Sequence, residues 1–528
     1  MSVRIKTIAI LSAGLMTAAG CSKFEESFLS VQRVGEATID TFFSNLEGLS
    51  MAGVGLHKDL KSYVDGPLVK YGEIRGDLLY ATLNADEGDL LTFNYELTAE
   101  HVATYPRNLW AAGWSVVSAA NDILYYGEQL RKTYTAPSEL AVLEKVLAQA
   151  RFARAFAHFT LCNSYAWPYT YTEDHSHLGI PIMDHVPGFE EKVDRKSVGR
   201  VYELVVSDLL ESIKLFNSSA ERDPVNAQVN CQINSVSNCY YISEIASEAL
   251  LARVYLYMED WENAEKYSKY IIEKVPLTSY SDYVDMFRNS QAKRGTESIL
   301  RMDTYNSSSS MTSFYDYNRN PSFQPDKSTY ELFDDDDVRK TLLYYIPKPG
   351  ETSYEEGAVY EAVCKYSYNR DIEDVNLQVS DCFVLRASES YLIHAEALVK
   401  GSGDITGALN DVKALIARAK GVDAASVDIT ASGEQAMLSL IELERKRELC
   451  FEGHRFYDIL RQKKDLKRPE TSNSKMKSLA WPDYRFILPI DRMEMQYNEF
   501  MKQNPGYQDY KKDAGLVPVG SETEEPAD

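Results

Sequence analysis

Two stretches of this chain combine ring faces with amide and carboxylate side chains, the pairing that holds a sugar. The first, about residues 66–107, carries Asp77, Tyr80, Asn84, Asn94, Tyr95 and Tyr105. The second, about 277–383, carries Tyr305, Tyr315, Tyr317, Asn318, Asn320, Phe323 and Tyr330. A pyranose presents C–H groups on one face and hydroxyls around its edge. Aromatic faces pack on the first, while Asp, Asn, Gln and Arg bond the second. The chain holds 36 Tyr against five Trp, so any platform here is built mainly of tyrosine. The candidate ligand-binding residues are Asp77, Tyr80, Asn94, Tyr95, Tyr305, Tyr315, Tyr317 and Phe323. Tyrosine also fills helix seams, so each ring is weighed against a packing role.

Other chemistries find less support. The densest charge pattern runs from Leu438 to Leu460 and reads as a single helix. Glu442, Glu444, Glu448 and Glu452 there could serve acid/base or metal chemistry. Arg445, Lys446, Arg447, Arg455 and Arg461 lie within helical reach of them, so a structural ion-pair network is expected instead. His454 has no second His at the spacing of a zinc protease. No G-x-S-x-G elbow, P-loop or dinucleotide fingerprint occurs, nor a D-x-D-x-D-G calcium loop, nor a cysteine pair at metal-ligand spacing. No catalytic residue, metal or cofactor is assigned, and the chain is expected not to be an enzyme. A net charge of −23 argues against nucleic acid as a partner, because phosphate binding needs clustered Lys and Arg.

These loops need a scaffold, and the periodicity supplies one that is mostly α-helical. Helices are expected at about 38–63, 109–131, 138–165 and 198–216. The region 242–275 has the spacing of a tetratricopeptide unit in Leu251, Ala252, Tyr255, Ala264 and Pro276, with Asp260 and Trp261 marking the turn. A second such unit spans 388–420, where Ala408 lies four residues after Asp404 as Ala264 lies four after Asp260. One helix pair cannot bury its apolar face alone, so about four pairs are expected to stack into a curved scaffold. The repeats occupy about 110–276 and 386–462, and the loop-rich ligand segments occupy about 66–107 and 277–383. A non-repeating stretch as long as the second usually carries function, and its aromatic content argues against disorder.

The N-terminus reads as an export signal. Arg4 and Lys6 precede an apolar run from Ile8 to Met16, then small residues, then Cys21. Cleavage after Gly20 would leave Cys21 as the first mature residue, the arrangement of a bacterial lipoprotein, with 21–35 as a lipidated tether and 36–528 as one domain. In an exported protein Cys231 and Cys239 are candidates for a local disulfide. Cys162 and Cys450 sit in apolar helical contexts and are expected to be buried thiols.

Taken in order, several stretches resemble the SusD/RagB family of Bacteroidetes outer-membrane lipoproteins. They are Ala150–Phe156, Ala249–Tyr257, Leu385-Arg386 with Glu389–Ile393 and Ala395–Ala397, Glu444-Arg445 through Phe451–Arg455 with Asp458, Leu488–Ile490 and Gln503–Tyr507. The resemblance implies four tetratricopeptide-like pairs carrying a loop-rich ligand face. It also implies a partner, a SusC-like TonB-dependent barrel to which captured oligosaccharide is delivered, with a RagB-like peptide-binding role as the alternative. Glu25 and Glu26 resemble the acidic signal that sends such lipoproteins to the cell exterior. Asp77, in Gly76-Asp77, resembles a recurring family position. The motifs lie on the scaffold and leave the ligand open.

Overall fold

The computed structural model describes residues 38–97, 101, 107–188, 191–224, 238–288, 296–302, 309–315, 320–346, 355–366 and 381–507. The signal, Cys21 and the tether lie outside the described residues, as do Tyr105, Tyr305, Tyr317 and Cys231 with its proposed disulfide.

Helices α1 (Leu46–Tyr63), α2 (Arg107–Leu130), α3 (Pro137–Tyr165), α4 (Val198–Arg222), α5 (Glu244–Met258) and α6 (Trp261–Lys274) each pack on the next. After α7 (Tyr280–Arg288) and the long excursion, the stack resumes from α6 onto α8 (Ala387–Ala397), then α9 (Ile405–Lys420) and α10 (Glu434–Leu449). The expected four pairs are therefore α1/α2, α3/α4, α5/α6 and α8/α9. The shared turn chemistry is visible in two of them. Asp260 accepts the Asn263 N–H at 3.2 Å and Asp404 accepts the Gly407 N–H at 2.8 Å, each capping the second helix of its pair. Four residues on, Ala264 and Ala408 are fully buried, where a larger side chain would push the paired helices apart. In the central α3, Ala150, Ala153 and Ala157 are buried as expected, as is the Cys162 thiol.

Three expectations change. The helix expected over 38–63 divides into Ile39–Phe42 and α1, because Asn45 turns extended and caps α1 through the Gly48 N–H at 3.0 Å. That turn places the Phe42 carbonyl where a Cβ on residue 48 would stand, so only glycine fits there. The 66–107 stretch is less loop-rich than expected. It holds a wide helical turn at Val64–Leu68, short helices at Val69–Ile74 and Glu87–Phe93, and strand β1 (Leu79–Ala81). The charged helix expected over 438–460 breaks into α10 and α11 (Arg455–Arg461). Phe451 and Gly453 take left-handed φ angles of 68° and 86° at the break. Val69 packs into it so closely that a Cβ on Gly453 would lie 2.9 Å from the Val69 Cα.

In the excursion, β2 (Ser298–Met302) pairs antiparallel with β4 (Cys382–Arg386), closing it at its base just ahead of α8, while β3 (Phe323–Pro325) lies midway along it. A main core runs through the first three helix pairs and on beneath the excursion, and a smaller one, including Leu392, Val412, Leu415 and Ile441, fills the space among α8, α9 and α10.

Candidate functional site

The fold brings the two sugar-type stretches together. β1 pairs antiparallel with β3, with Tyr80 opposite Gln324 and Ala81 opposite Phe323. The ladder is extended by Thr82 N–H to Ser322 O at 2.9 Å and Asp326 N–H to Leu78 O at 2.8 Å. The Thr82 hydroxyl adds a bond to the Pro321 carbonyl at 2.5 Å. A third segment closes over this ribbon. The Asn473 side chain accepts the Ala81 N–H at 3.0 Å and donates to the Ala81 carbonyl at 2.7 Å, so it completes the strand edge as a backbone would. Beneath, the buried Arg468 guanidinium donates to the carbonyls of Gly76 at 2.8 Å, Ile74 at 2.9 Å and Phe93 at 2.5 Å. Burial draws the Arg468 pKa down to about 10, which still leaves it charged at neutral pH.

The second stretch is also pinned to the scaffold. Asp65, at the end of α1, accepts from Ser309 Oγ at 2.8 Å, Ser310 N at 3.1 Å and Met311 N at 3.2 Å. Burial raises the Asp65 pKa, and these donors offset the rise only in part. What remains outward on this face is the half-buried Tyr80 with the exposed Leu83, Asn84, Asp86, Asn320, Thr471 and Asn473. One aromatic ring surrounded by amide and carboxylate edges can bond hydroxyls in several directions.

The predicted site residues divide sharply. Tyr80 lies on the face, and Tyr305 and Tyr317 fall outside the described residues. The other five are buried in the framework beneath that face rather than exposed on the surface, as ligand contacts were expected to be. Tyr315 is fully buried and stacks on Tyr366 with ring centroids 5.7 Å apart. Phe323 stacks on Phe314 at 5.1 Å and meets Phe93 edge-on at 5.3 Å. The Tyr95 ring is buried and its hydroxyl donates to Arg75 O at 2.6 Å. Asn94 Oδ1 accepts the Lys475 N–H at 2.9 Å. Asp77 receives Arg455 Nε at 2.7 Å, Arg455 Nη2 at 2.9 Å and Lys446 Nζ at 3.2 Å. Burial opposes its charge, but Arg455 and Lys446 outweigh burial and hold the Asp77 carboxyl well below the usual carboxylate range. The physical reason is common to all five: a loop surface has to be floored, and the floor uses the same residue types as the surface. Asn473, Arg468 and Asp65 lie in segments that no aromatic density marks, so the sequence reading passed over them.

The charge pattern at the scaffold's C-terminal end is closed. The Glu448 carboxylate accepts from Arg386 at 2.5 Å, Arg418 at 2.7 Å, Arg339 at 2.8 Å and the Tyr283 hydroxyl at 3.1 Å. Glu452 takes Arg386 at 2.8 Å and Lys365 at 2.6 Å, and Glu444 takes Arg339 at 2.5 Å. Burial disfavours the Glu448 charge, yet Arg418, Arg386 and Arg339 together hold its pKa well below normal. An ion-pair network was expected here, but most of these partners come from the excursion, β4 and α9 rather than from neighbouring turns. Glu73 is also fully buried, its pKa pushed up to about 8 by burial against the pull of the Gly453 and Phe451 N–H groups. Glu73, Glu444 and Glu448 are fully buried and Glu452 nearly so. Among the described residues no group of three or more His, Cys, Asp or Glu is placed to hold a metal ion.

Comparison with known proteins gives two family matches in tandem. Residues 80–256 match a model described as starch-binding associating with outer membrane, and residues 277–507 match that of the SusD family. SusD-like protein P2 of Formosa agariphila is 24% identical, over 93% of this chain and 98% of its own length. A SusD superfamily structure from Bacteroides vulgatus superposes with a TM-score of 0.72 at 21% identity, over 88% of this chain and 99% of that one. A second structure from the same organism, described as a sugar binding protein, gives 0.72 at 25% identity over the same shares.

Proposed function

The chain belongs to the SusD/RagB family, and from that premise we propose that it is a non-catalytic, cell-surface glycan-binding lipoprotein. It captures oligosaccharide on the face around Tyr80 and delivers it to a SusC-like TonB-dependent outer-membrane transporter. The observation that carries this reading is the joining of the two sugar-type stretches by β1 and β3, which puts Tyr80 on the same ribbon as the exposed Asn84 and Asn320, over a hydrogen-bonded floor. Preformed sites with few polar groups suit a ligand that must afterwards be released. The starch-binding description of one matching family model and the sugar-binding description of one related structure favour a glycan over a peptide. Cys21 would be the anchor that keeps the protein at the outer membrane.

The test is calorimetric titration of the full mature chain carrying Cys21→Ser, which leaves it unlipidated, against a panel of plant and host oligosaccharides and a mixed peptide pool. Heat with one glycan class, weakened in Tyr80→Ala, supports the reading. Heat with peptides and none with glycans replaces it with a RagB-like peptide role. In cells, Cys21→Ser should move the protein out of the membrane fraction, and its persistence there would sink the anchor.

A further inference from the structure

The helical scaffold has a recess of its own. An open groove of about 720 Å3 runs beside α4, between the end of α5 and the loop that follows α3, and it shares no residue with the face around Tyr80. This volume lies within the ~300–1,000 Å3 of small-molecule sites. Its walls include the half-buried Tyr169, whose ring also tilts against Tyr202 with centroids 4.8 Å apart, the buried Tyr255 and the half-buried Met258. Both rings are already fixed. Tyr169 stacks on His175 with centroids 3.8 Å apart, and Tyr255 stacks on Tyr267 at 5.6 Å. A ligand packing against them would therefore pay little side-chain entropy.

The polar lining narrows the ligand class. Arg151 gives Nη1 to Asp208 at 2.7 Å and has no partner for Nε. Lys214 pairs with Glu211 at 2.9 Å, and Glu203 pairs with Arg200. The rim thus carries both signs, largely compensated, which selects against a strongly charged ligand of either sign. The walls are mainly helical, so their backbone donors and acceptors are spent within the helices and offer no edge to an extended peptide. One fixed, half-buried ring, Tyr169, beside paired charges on the rim matches a neutral, hydroxyl-rich ligand better than a charged one.

We propose that this groove is a second oligosaccharide site, for neutral sugar chains, separate from the loop face; it rests on the glycan reading of the protein. A glycan-bearing solution then fills two sites on each chain, and the groove is the weaker one, being open along its length.

The experiment titrates the full mature chain with Cys21→Ser against neutral plant and host oligosaccharides, with the peptide pool in parallel. Ser207, exposed on α4 in the groove wall, is replaced in Ser207→Trp to fill the recess without removing any packing. Lys214→Ala serves as a second variant, and unchanged melting temperatures confirm that both fold. Two binding steps are expected for the unmodified groove. Ser207→Trp should abolish the weaker step, Lys214→Ala should weaken it about tenfold, and Tyr80→Ala should affect the stronger step alone. A single step that Ser207→Trp leaves unchanged overturns the groove and spares the loop face. Peptide heat that disappears in Ser207→Trp overturns the sugar assignment of the groove. Silence toward every glycan overturns both sites together.

Discussion

The hub around Glu448 and the face around Tyr80 are both crowded with polar groups, and the protein uses them in opposite ways. At the hub every charge is spent inward: Arg339, Arg386 and Arg418 converge on one buried carboxylate. At the face, buried groups such as Asp77, Arg468 and Asn94 are spent on the floor, while Asn84 and Asn320 are exposed. Charge density therefore marks where the scaffold is locked, and exposed amides beside one ring mark the face proposed to take the ligand. The resemblance motifs fall on the scaffold, two of them, Leu385–Ala397 and Glu444–Asp458, on the locked hub, which is why they identify the family and not the ligand.

If the hub is closed, Glu448→Ala leaves three buried guanidiniums short of a counter-charge and should cost ~3–5 kcal/mol, read by urea denaturation. A loss below ~1 kcal/mol would show the hub to be solvated and the contrast false. Tyr315 tests the floor. Tyr315→Ala should cost ~3 kcal/mol as a buried aromatic, whereas Tyr315→Phe should gain ~1 kcal/mol, since its hydroxyl is buried without a partner. A Tyr315→Phe variant that loses ligand with stability intact would return this residue to the binding surface.

Glu73 gives the floor a pH signature. Its pKa is about 8 in the folded protein, above the ordinary ~4.3. The native state therefore keeps a proton that the unfolded chain has released, and stability falls as pH rises from about 4.5 to about 8, by up to ~1.4 kcal/mol per pH unit. Glu73→Gln should remove that slope in melting curves taken at pH 5, 6, 7 and 8; an unaltered slope would place the proton elsewhere. The smallest effect on stability belongs to the face. Tyr80→Ala should change stability by under ~0.5 kcal/mol while weakening glycan binding about tenfold.

Much of the scaffold was legible because helical periodicity and caps are local. Asp260 and Asp404 announce their helix starts within four residues, and Ala264 and Ala408 announce tight packing. The helix break at Phe451–Gly453 was not legible, because its cause lies far away in the chain: Val69 packs into it and Glu73 accepts the Gly453 N–H at 2.8 Å. The same limit divides the site. Composition located the two stretches that meet, but a tyrosine that floors a surface and one that faces a ligand have the same local sequence. Tyr315 and Phe323 differ from Tyr80 in what lies over them, and in a loop that is decided partly by distant partners such as Phe451 over Tyr315 and Phe93 over Phe323.

Asn473 ties the end of the chain to Ala81 near its start, with β3 between them. These contacts span 392 and roughly 240 residues of sequence, and such distant pairings must bear the full entropy of loop closure before they return any stability. The order of assembly follows. The first helix pairs can form early, whereas the face around Tyr80 waits for almost the whole chain. The scaffold would then form first and the face around Tyr80 last, and a chain cut short before residue 470 would keep helices α1 to α6 while never completing that face.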